Sequence, residues 1–263
     1  MRLIFKLLFS LLICSQAKAQ VLNAEAFKSQ ESITDSLSGQ FSFGFTIDKQ
    51  RSIIYSAYTE ADLSFRIRNK SLLTATRLRV SGTSEEMFLN GGFVHLRYRD
   101  NTGKELLLEE YLQYQWDGVR GLKHRFIAGA NLRQRLVRDT STALFAGFGL
   151  FYEYENWGYN AVPTADRPLN VNDRANNLWK FNTYLRFSQR FGDNARFSSV
   201  FYYQALPEYF FSSYRMAGTF QLAFRVNRHL DFNLNYEGIY DSRPVVPIDN
   251  FFFNISNQFV WKF

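Results

Sequence analysis

The sequence predicts an all-β protein, a closed antiparallel up-and-down transmembrane β-barrel of about 12 strands. Apolar and polar residues alternate along these segments, as they do where strand side chains point to opposite faces of a sheet. The segments exceed the roughly 5–6 residues of typical soluble strands, and charges recur at mid-strand on their polar faces. Closure is expected because an open sheet edge in hydrocarbon leaves backbone groups without hydrogen-bond partners.

The N-terminal residues 1–19 have the features of a cleaved export signal. Arg2 and Lys6 are basic, an apolar run follows, and Ala17–Ala19 forms an A-x-A cleavage site. We therefore expect export to the cell outer membrane. Residues 20–36 are polar and lack the strand pattern, so they form a periplasmic lead, a short helix or an inward plug, and the pattern does not choose between these.

The net charge and the cysteine content exclude several classes of function. The formal net charge is +7, and the basic residues are not grouped with stacking aromatics, so nucleic acid is not an expected partner. The single cysteine, Cys14, lies in the predicted signal. Its removal excludes a disulfide scaffold, a cysteine-ligated metal site and thiol catalysis.

Twelve segments of residues 37–263 carry the two-residue period. In the first, Phe41, Phe43 and Phe45 share one face, while Gln40 and Ser42 lie on the other. The predicted strands span residues 37–48, 52–68, 71–82, 86–99, 104–117, 121–137, 141–155, 176–191, 195–206, 213–226, 229–241 and 250–263.

The connections between these strands alternate in length. Every second connection is short and rich in turn formers, whereas the longest ones span residues 156–175, 206–212 and 241–249 and contain all five prolines. Outer-membrane barrels have short periplasmic turns and longer outer loops, so we expect both termini to be periplasmic. Loop 156–175 either folds inward as a constriction or projects as a receptor surface.

The C-terminal strand is aromatic on its apolar face. Phe259, Trp261 and the terminal Phe263 are predicted to form the insertion signal read by the barrel-assembly machinery. Other aromatic residues near strand ends, Trp157 among them, are candidates for the interfacial girdles. The expected partners are outer-membrane lipid and lipopolysaccharide, and the barrel is expected to be a monomer.

Alternation assigns many charged side chains to the barrel interior. The basic residues predicted to line the periplasmic half are Arg66, Arg68, Arg97, Arg99, Arg133, Arg135, Arg186, Arg190 and Arg225. The acidic lumen-lining residues are Glu60, Asp62, Glu109, Glu153, Glu155 and Glu237. They are accompanied by Arg77, Arg79, Lys123, Arg125 and Arg215. A basic mouth would lower the barrier for anions. Alternatively, these side chains pair across strands and fill the barrel as a polar core.

Few residues support catalysis. His124, with Asp117 across the predicted hairpin, is the best enzymatic candidate, but an interfacial histidine is the favoured explanation of His124. No metal-ligand spacing or phosphate-binding loop occurs. The sequence is therefore expected to have no cofactor and no enzymatic activity.

Several short motifs resemble those of the salt-induced outer-membrane proteins, a family of barrels defined by a domain of unknown function. The matching residues are the run Glu110–Asp117 (EYLQYQWD), Arg120-Gly121-Leu122, Arg125, Gly129, Arg133, Val21–Glu25 and Tyr240–Pro244. The resemblance implies an outer-membrane barrel and supplies no activity.

Three functions are compatible with these observations. The leading one is a small channel or envelope structural protein with an arginine-rich lumen, either open or plugged. The second is an outer-membrane barrel enzyme that hydrolyses lipid or peptide. The third is a secreted soluble β-protein that binds an apolar ligand.

Overall fold

The computed structural model describes residues 37–49, 53–84, 87–100, 106–169 and 172–263. The predicted signal and lead, residues 1–36, lie outside these ranges. The strands are β1 (Leu37–Lys49), β2 (Ile53–Ile67), β3 (Lys70–Gly82), β4 (Met87–Asp100), β5 (Leu106–Asp117), β6 (Leu122–Arg138), β7 (Thr142–Trp157), β8 (Arg174–Phe191), β9 (Ala195–Ala205), β10 (Tyr214–Arg225), β11 (Leu230–Asp241) and β12 (Phe251–Lys262). Two short 3-10 helices, Thr164–Asp166 and Pro207–Tyr209, lie in connections.

The twelve strands form one closed antiparallel barrel in which each strand pairs with its neighbours in sequence and β1 pairs with β12. This confirms the predicted fold class and strand number. Each strand begins and ends within two residues of the predicted bounds. Alternation locates strands well because it reflects a physical boundary between two environments on every strand.

The two ends of the barrel differ in their connections. At the turn end, where β1 begins and β12 ends, successive strands are joined by short turns such as Arg68–Asn69 and residues 192–194. Arg68 and Gly192 have positive φ values there, 53° and 59°, which fits tight reversal of the chain. The opposite end, the loop end, carries the long connections after β7, β9 and β11.

The barrel wall is apolar outside and polar inside. On β7, the outward Phe148 and Leu150 are 56% and 45% exposed, whereas the inward Phe151 and Glu153 are 0% and 1% exposed. Buried charged residues therefore occupy the interior, the reverse of a soluble sandwich. Among the residues described, no helix has the length and apolar character to cross a membrane.

The seam between β1 and β12 is paired only near the turn end. Backbone bonds of 3.2 Å join Gly39 and Phe263 in both directions, and three further pairs follow, up to Ser42 with Val260. Beyond these, no pair joins the described residues of the two strands. Instead, the Tyr58 ring lies over Gly44, and its hydroxyl donates to the Asn257 carbonyl at 3.3 Å.

The loops cover the loop end with a small apolar cluster. Leu122, Trp157, Val162 and Val246 are each at most 4% exposed and pack together. The Gly158 amide also donates to the Gly121 carbonyl at 2.8 Å. Trp157 thus lies inside this loop cluster, so its prediction as a girdle residue was wrong. The reason is that the alternation along β7 directs its last residue, Trp157, to the inside of the barrel, as it does Glu153 and Glu155.

Candidate functional site

In the part of the chain that the structure describes, charged side chains from many strands converge in the lumen. Five of the predicted acidic residues are buried, and Glu60 is half-buried. Their hydrogen bonds and ion pairs fall into three groups along the barrel, which we call the turn-end, loop-end and seam clusters.

The turn-end cluster is built around Glu109 on β5, which is 0% exposed. Arg99 donates to Glu109 at 2.7 Å and Arg133 at 3.1 Å. The Tyr184 hydroxyl, three strands away on β8, donates at 2.6 Å. Arg97 lies within electrostatic range of the same carboxylate. Arg99 and Arg133 therefore bind the same carboxylate.

The loop-end cluster joins β6, β7, β8, β10 and β11. Arg125 and Lys180 both donate to Glu153, and Arg215 contacts Glu153 and Glu155 at 3.2 and 3.1 Å. Arg215 also donates to Asp241 at 2.9 Å. Since β7 and β10 are not neighbours, Arg215 bridges part of the lumen.

The seam cluster crosses the barrel behind β1 and β12. Arg77 on β3 donates to Glu237 on β11 at 2.9 and 3.0 Å. It also pairs with Glu60 at 2.6 Å, and Gln258 donates to Glu60 at 3.2 Å. Strands β3 and β11 are separated by β2, β1 and β12, so this ion pair spans the lumen.

The cavities that described residues line between these clusters are small. A cavity of about 50 Å³ lies between the turn-end and loop-end clusters, and one of about 30 Å³ lies beside the seam cluster. Because a water needs roughly 10–15 Å³ of such space, each cavity holds only a few waters. Buried polar side chains of the described residues therefore occupy much of the lumen.

The predicted basic residues are distributed unevenly. Arg97, Arg133 and Arg186 are buried in the lumen, and Arg66, Arg99 and Arg135 are half-buried. One prediction needs correction: Arg68 lies in the exposed turn after β2, because that strand ends at Ile67. Arg190 and Arg225 are exposed at the turn end, and their place in a basic mouth stays a prediction.

Lys123 also differs from its predicted position. It is exposed and binds Asp173 in the loop after β7 at 2.7 Å. An irregularity in the β6–β7 register between Leu122 and His124 shifts the alternation at this point. The side chain therefore lies at the rim rather than in the lumen.

The proposed His124 and Asp117 pair does not form. Asp117 faces inward and binds Arg120 at 2.7 Å, with both side chains buried. His124 is exposed on the outer face, where its Nδ1 lies 2.9 Å from the Tyr114 hydroxyl. The two side chains lie on opposite faces of the barrel wall. They therefore cannot act together, and the residue pair on which the enzymatic hypothesis depended is not formed.

Sequence reasoning missed the neutral partners of the buried charges. Three uncharged side chains face the lumen, those of Tyr184, His95 and Gln113. The alternation that assigned charged residues to the interior would also have assigned these uncharged residues to it. Lys180 was also missed, although it lies on the same face of β8 as Arg186.

The predicted insertion signal consists of Phe259, Trp261 and Phe263. These side chains lie on the outer face and are more than half exposed. Within the described ranges, no group of three metal-ligating residues occurs.

Solved structures similar to this chain include bacterial outer-membrane barrels. The NanC porin has 12% identity and a TM-score of 0.47, over 86% of this chain and 98% of that one. The translocator domain of the autotransporter NalP from Neisseria meningitidis has 10% identity and a TM-score of 0.41, over 85% and 86%. The β-domain of the Bordetella autotransporter BrkA has 11% identity and a TM-score of 0.40, over 87% and 99%.

At the level of sequence, no curated protein matches the chain. Residues 56–248 match a family described as a protein of unknown function, DUF481. The match agrees with the part of the resemblance that concerned a domain of unknown function, whereas the salt-induced name stays a prediction. Since the matched residues make up well over half of the sequence, this chain belongs to the DUF481 family.

Proposed function

We propose that the protein is an outer-membrane barrel that is closed at rest and becomes a narrow, anion-favouring channel when its lumen clusters separate. The observation that carries this proposal is the set of polar contacts across the lumen. Arg77 with Glu237, Arg215 with Glu153 and Tyr184 with Glu109 each join strands that are not neighbours.

The outward face supports a membrane location. Phe41, Phe43 and Phe45 on β1 are 47%, 60% and 52% exposed, and the same apolar outward face recurs around the barrel. Exposure of this much apolar surface to water is unfavourable, whereas lipid chains solvate it. The apolar wall and the predicted export signal together favour insertion into the outer membrane.

The charge distribution supports an anion preference. The turn-end half of the lumen holds Arg97, Arg99, Arg133 and Arg186, and Glu109 is the carboxylate that two of these arginines bind. A ring of guanidinium groups lowers the electrostatic barrier for anions and raises it for cations. Separation of the clusters would expose these groups to the permeation path.

Planar-bilayer recording of the purified barrel tests the proposal. We expect no steady conductance from the wild type, and small anion-selective steps from the double variant Arg77→Ala/Arg215→Ala, which removes two of the three lumen bridges. Lys123→Ala at the exposed rim is the matched control and should remain silent. Steady wild-type conductance contradicts closure at rest. Silence of the double variant contradicts the channel and leaves a structural role in the envelope. Cation-selective steps contradict the anion preference.

A further inference from the structure

We infer that a groove on the outer face of strands β5–β8 binds a membrane phospholipid with a primary ammonium headgroup. Glu110, at the edge of this groove, would bind the ammonium group, and the groove would hold an acyl chain. The inference goes beyond the proposed channel, because it concerns the outer wall of the barrel and not the lumen. It rests on the membrane location proposed above and does not require the barrel to conduct.

Glu110 is an exception on the outer face of the barrel. It is exposed on the same face of β5 as Leu108 and Leu112, which are 41% and 57% exposed. In the part of the chain that the structure describes, no other charged side chain lies on the outer face more than two residues inside a strand. Glu110 also forms no hydrogen bond or ion pair with any described residue. A carboxylate beside hydrocarbon is unfavourable without a partner, so this position is a candidate binding site.

An apolar groove of about 690 Å³ lies next to this carboxylate. Its lining includes Ala128 and Ala130 on β6, whose small side chains leave space between larger neighbours such as Leu132 and Trp179. No charged side chain occurs among the described residues that line it. A groove of this kind takes up a hydrocarbon chain and would be unfavourable in contact with water.

A row of opposed positions leads from Glu110 along the groove. Glu110 lies opposite Ala130, which lies opposite Leu150 on β7. Leu150 in turn lies opposite Phe181 on β8. Because neighbouring strands are roughly 4.8 Å apart, these three steps make a row of about 15 Å. The hydrocarbon layer of one leaflet has a similar depth, about half of the roughly 30 Å bilayer core.

The row also rises from the turn end of the barrel toward the loop end. β5 begins at the turn end with Leu106, so Glu110 lies four residues from that end. β8 finishes at the turn end with Phe191, so Phe181 lies ten residues from it. A headgroup bound at Glu110 would therefore lie toward the turn end, with its acyl chain extending toward the loop end.

The loop end of the groove is bounded by Phe210, from the connection after β9. The Phe210 ring lies edge-on to the Phe181 ring, with 6.2 Å between the ring centroids. The Tyr203 hydroxyl also donates to the Phe210 carbonyl and holds this connection against the outer face. The groove therefore has a carboxylate beside one end and an aromatic ring at the other, which gives a bound amphiphile one preferred orientation.

The chemistry of Glu110 selects the headgroup. An ionised carboxylate only accepts hydrogen bonds, and a primary ammonium group offers three N–H donors together with a positive charge. A quaternary ammonium headgroup has the charge but no N–H donor. An anionic headgroup without a cation would be repelled. The turn end is predicted to be periplasmic, so the bound phospholipid would belong to the periplasmic leaflet.

A second copy of the chain fits the groove less well than a lipid. Among the described residues, no arginine or lysine lies on the outer face more than two residues inside a strand. A second barrel packed against this wall would therefore cover Glu110 without a cation to pair with it. A phospholipid supplies the cation and the hydrocarbon chain in one molecule.

Native mass spectrometry of the folded protein, released from detergent after titration with phospholipids, tests the inference. The probes are phosphatidylethanolamine, phosphatidylcholine and phosphatidylglycerol with identical acyl chains. We expect one site per chain that prefers phosphatidylethanolamine by about tenfold, the contribution of a charge-assisted hydrogen bond. Heat-modifiable gel mobility verifies that each sample is folded. Equal affinities for the three lipids overturn the site.

Variants separate the headgroup contact from the groove. Glu110→Gln keeps the size of the side chain and should abolish the preference for phosphatidylethanolamine while leaving phosphatidylcholine binding unchanged. Asp193→Asn removes an exposed carboxylate in a turn at the same end of the barrel and should keep the preference. A preference that survives Glu110→Gln overturns the role of this carboxylate.

Ala130→Phe fills the groove and should weaken the binding of all three lipids about tenfold, as loss of the space for part of an acyl chain implies. Ala61→Phe, on the outer face of β2 and outside the groove lining, is its control. Unchanged binding in Ala130→Phe overturns the groove as the acyl-chain site. A two-chain species that Ala130→Phe dissociates would identify the groove as a contact between copies and also overturn the lipid site.

The outcomes for the two proposals are distinguishable, because lipid binding in detergent does not depend on conductance. A headgroup preference in a barrel that remains silent in every bilayer experiment supports the lipid site and contradicts only the channel. A conducting barrel without any headgroup preference supports the channel and overturns only the lipid site.

Discussion

At the residue scale, burial decides which charged side chains matter for stability. Glu109 is 0% exposed and accepts from Arg99, Arg133 and Tyr184. Asp173 also has a close cation, Lys123 at 2.7 Å, but both side chains are nearly half exposed. Removing one partner of a buried ion pair leaves an uncompensated charge, whereas an exposed pair is screened by solvent.

Glu109→Gln should therefore reduce the free energy of unfolding by about 3–5 kcal/mol, because it neutralises the buried carboxylate to which Arg99, Arg133 and Tyr184 donate. Asp173→Asn, the same chemical change at an exposed pair, should change it by less than about 1 kcal/mol. Urea unfolding in lipid vesicles measures both values. Equal effects of the two substitutions would contradict the importance of the turn-end cluster.

At the scale of elements, the seam is the weakest junction of the barrel wall. Strands β1 and β12 pair over only a few residues near the turn end. Above that point the ring of Tyr58 occupies the space that a side chain at Gly44 would fill, 2.0 Å from the position of an added Cβ. The glycine is therefore required by the close approach of a neighbouring ring, and the Tyr58 hydroxyl reaches a carbonyl of β12.

Gly44→Ala should destabilise the barrel by about 1–3 kcal/mol, because the added methyl group displaces the Tyr58 ring. Gly218→Ala on β10 is the matched control, since its nearest neighbours would be 3.7 and 3.8 Å away. The control should be neutral or stabilising by up to about 1 kcal/mol. The temperature of the heat-modifiable gel shift measures the difference, and an unaffected Gly44→Ala variant contradicts the packing of the seam.

At the scale of the whole molecule, the apolar outer wall and the polar interior require different solvents. Leu150 lies at the middle of β7 and is 45% exposed on the outer face. If acyl chains surround this position, a charged side chain there is costly. Phe211 is 85% exposed in the connection after β9, beyond the wall.

Leu150→Arg should destabilise the barrel in vesicles by about 2–4 kcal/mol, as a basic residue does at the bilayer midplane. Phe211→Arg, with the same introduced charge in a loop, should cost less than about 1 kcal/mol. Reversible unfolding in vesicles and membrane fractionation are the measurements. If Leu150→Arg leaves the stability unchanged, and salt or carbonate alone releases the protein from membranes, the results instead support a soluble β-protein.

The sequence by itself determined the strand number, the strand bounds within two residues and the face of most side chains, because a two-residue period records the contrast between two environments along every strand. The sequence did not predict the turns and register irregularities as well. Arg68 and Lys123 lie at positions where the two-residue period is interrupted. Only the tertiary structure decided which inward residues meet, since Arg77 and Glu237 are 160 positions apart and no local pattern encodes their approach. The contacts across the lumen and the short seam both depend on how the twelve strands curve round to face one another.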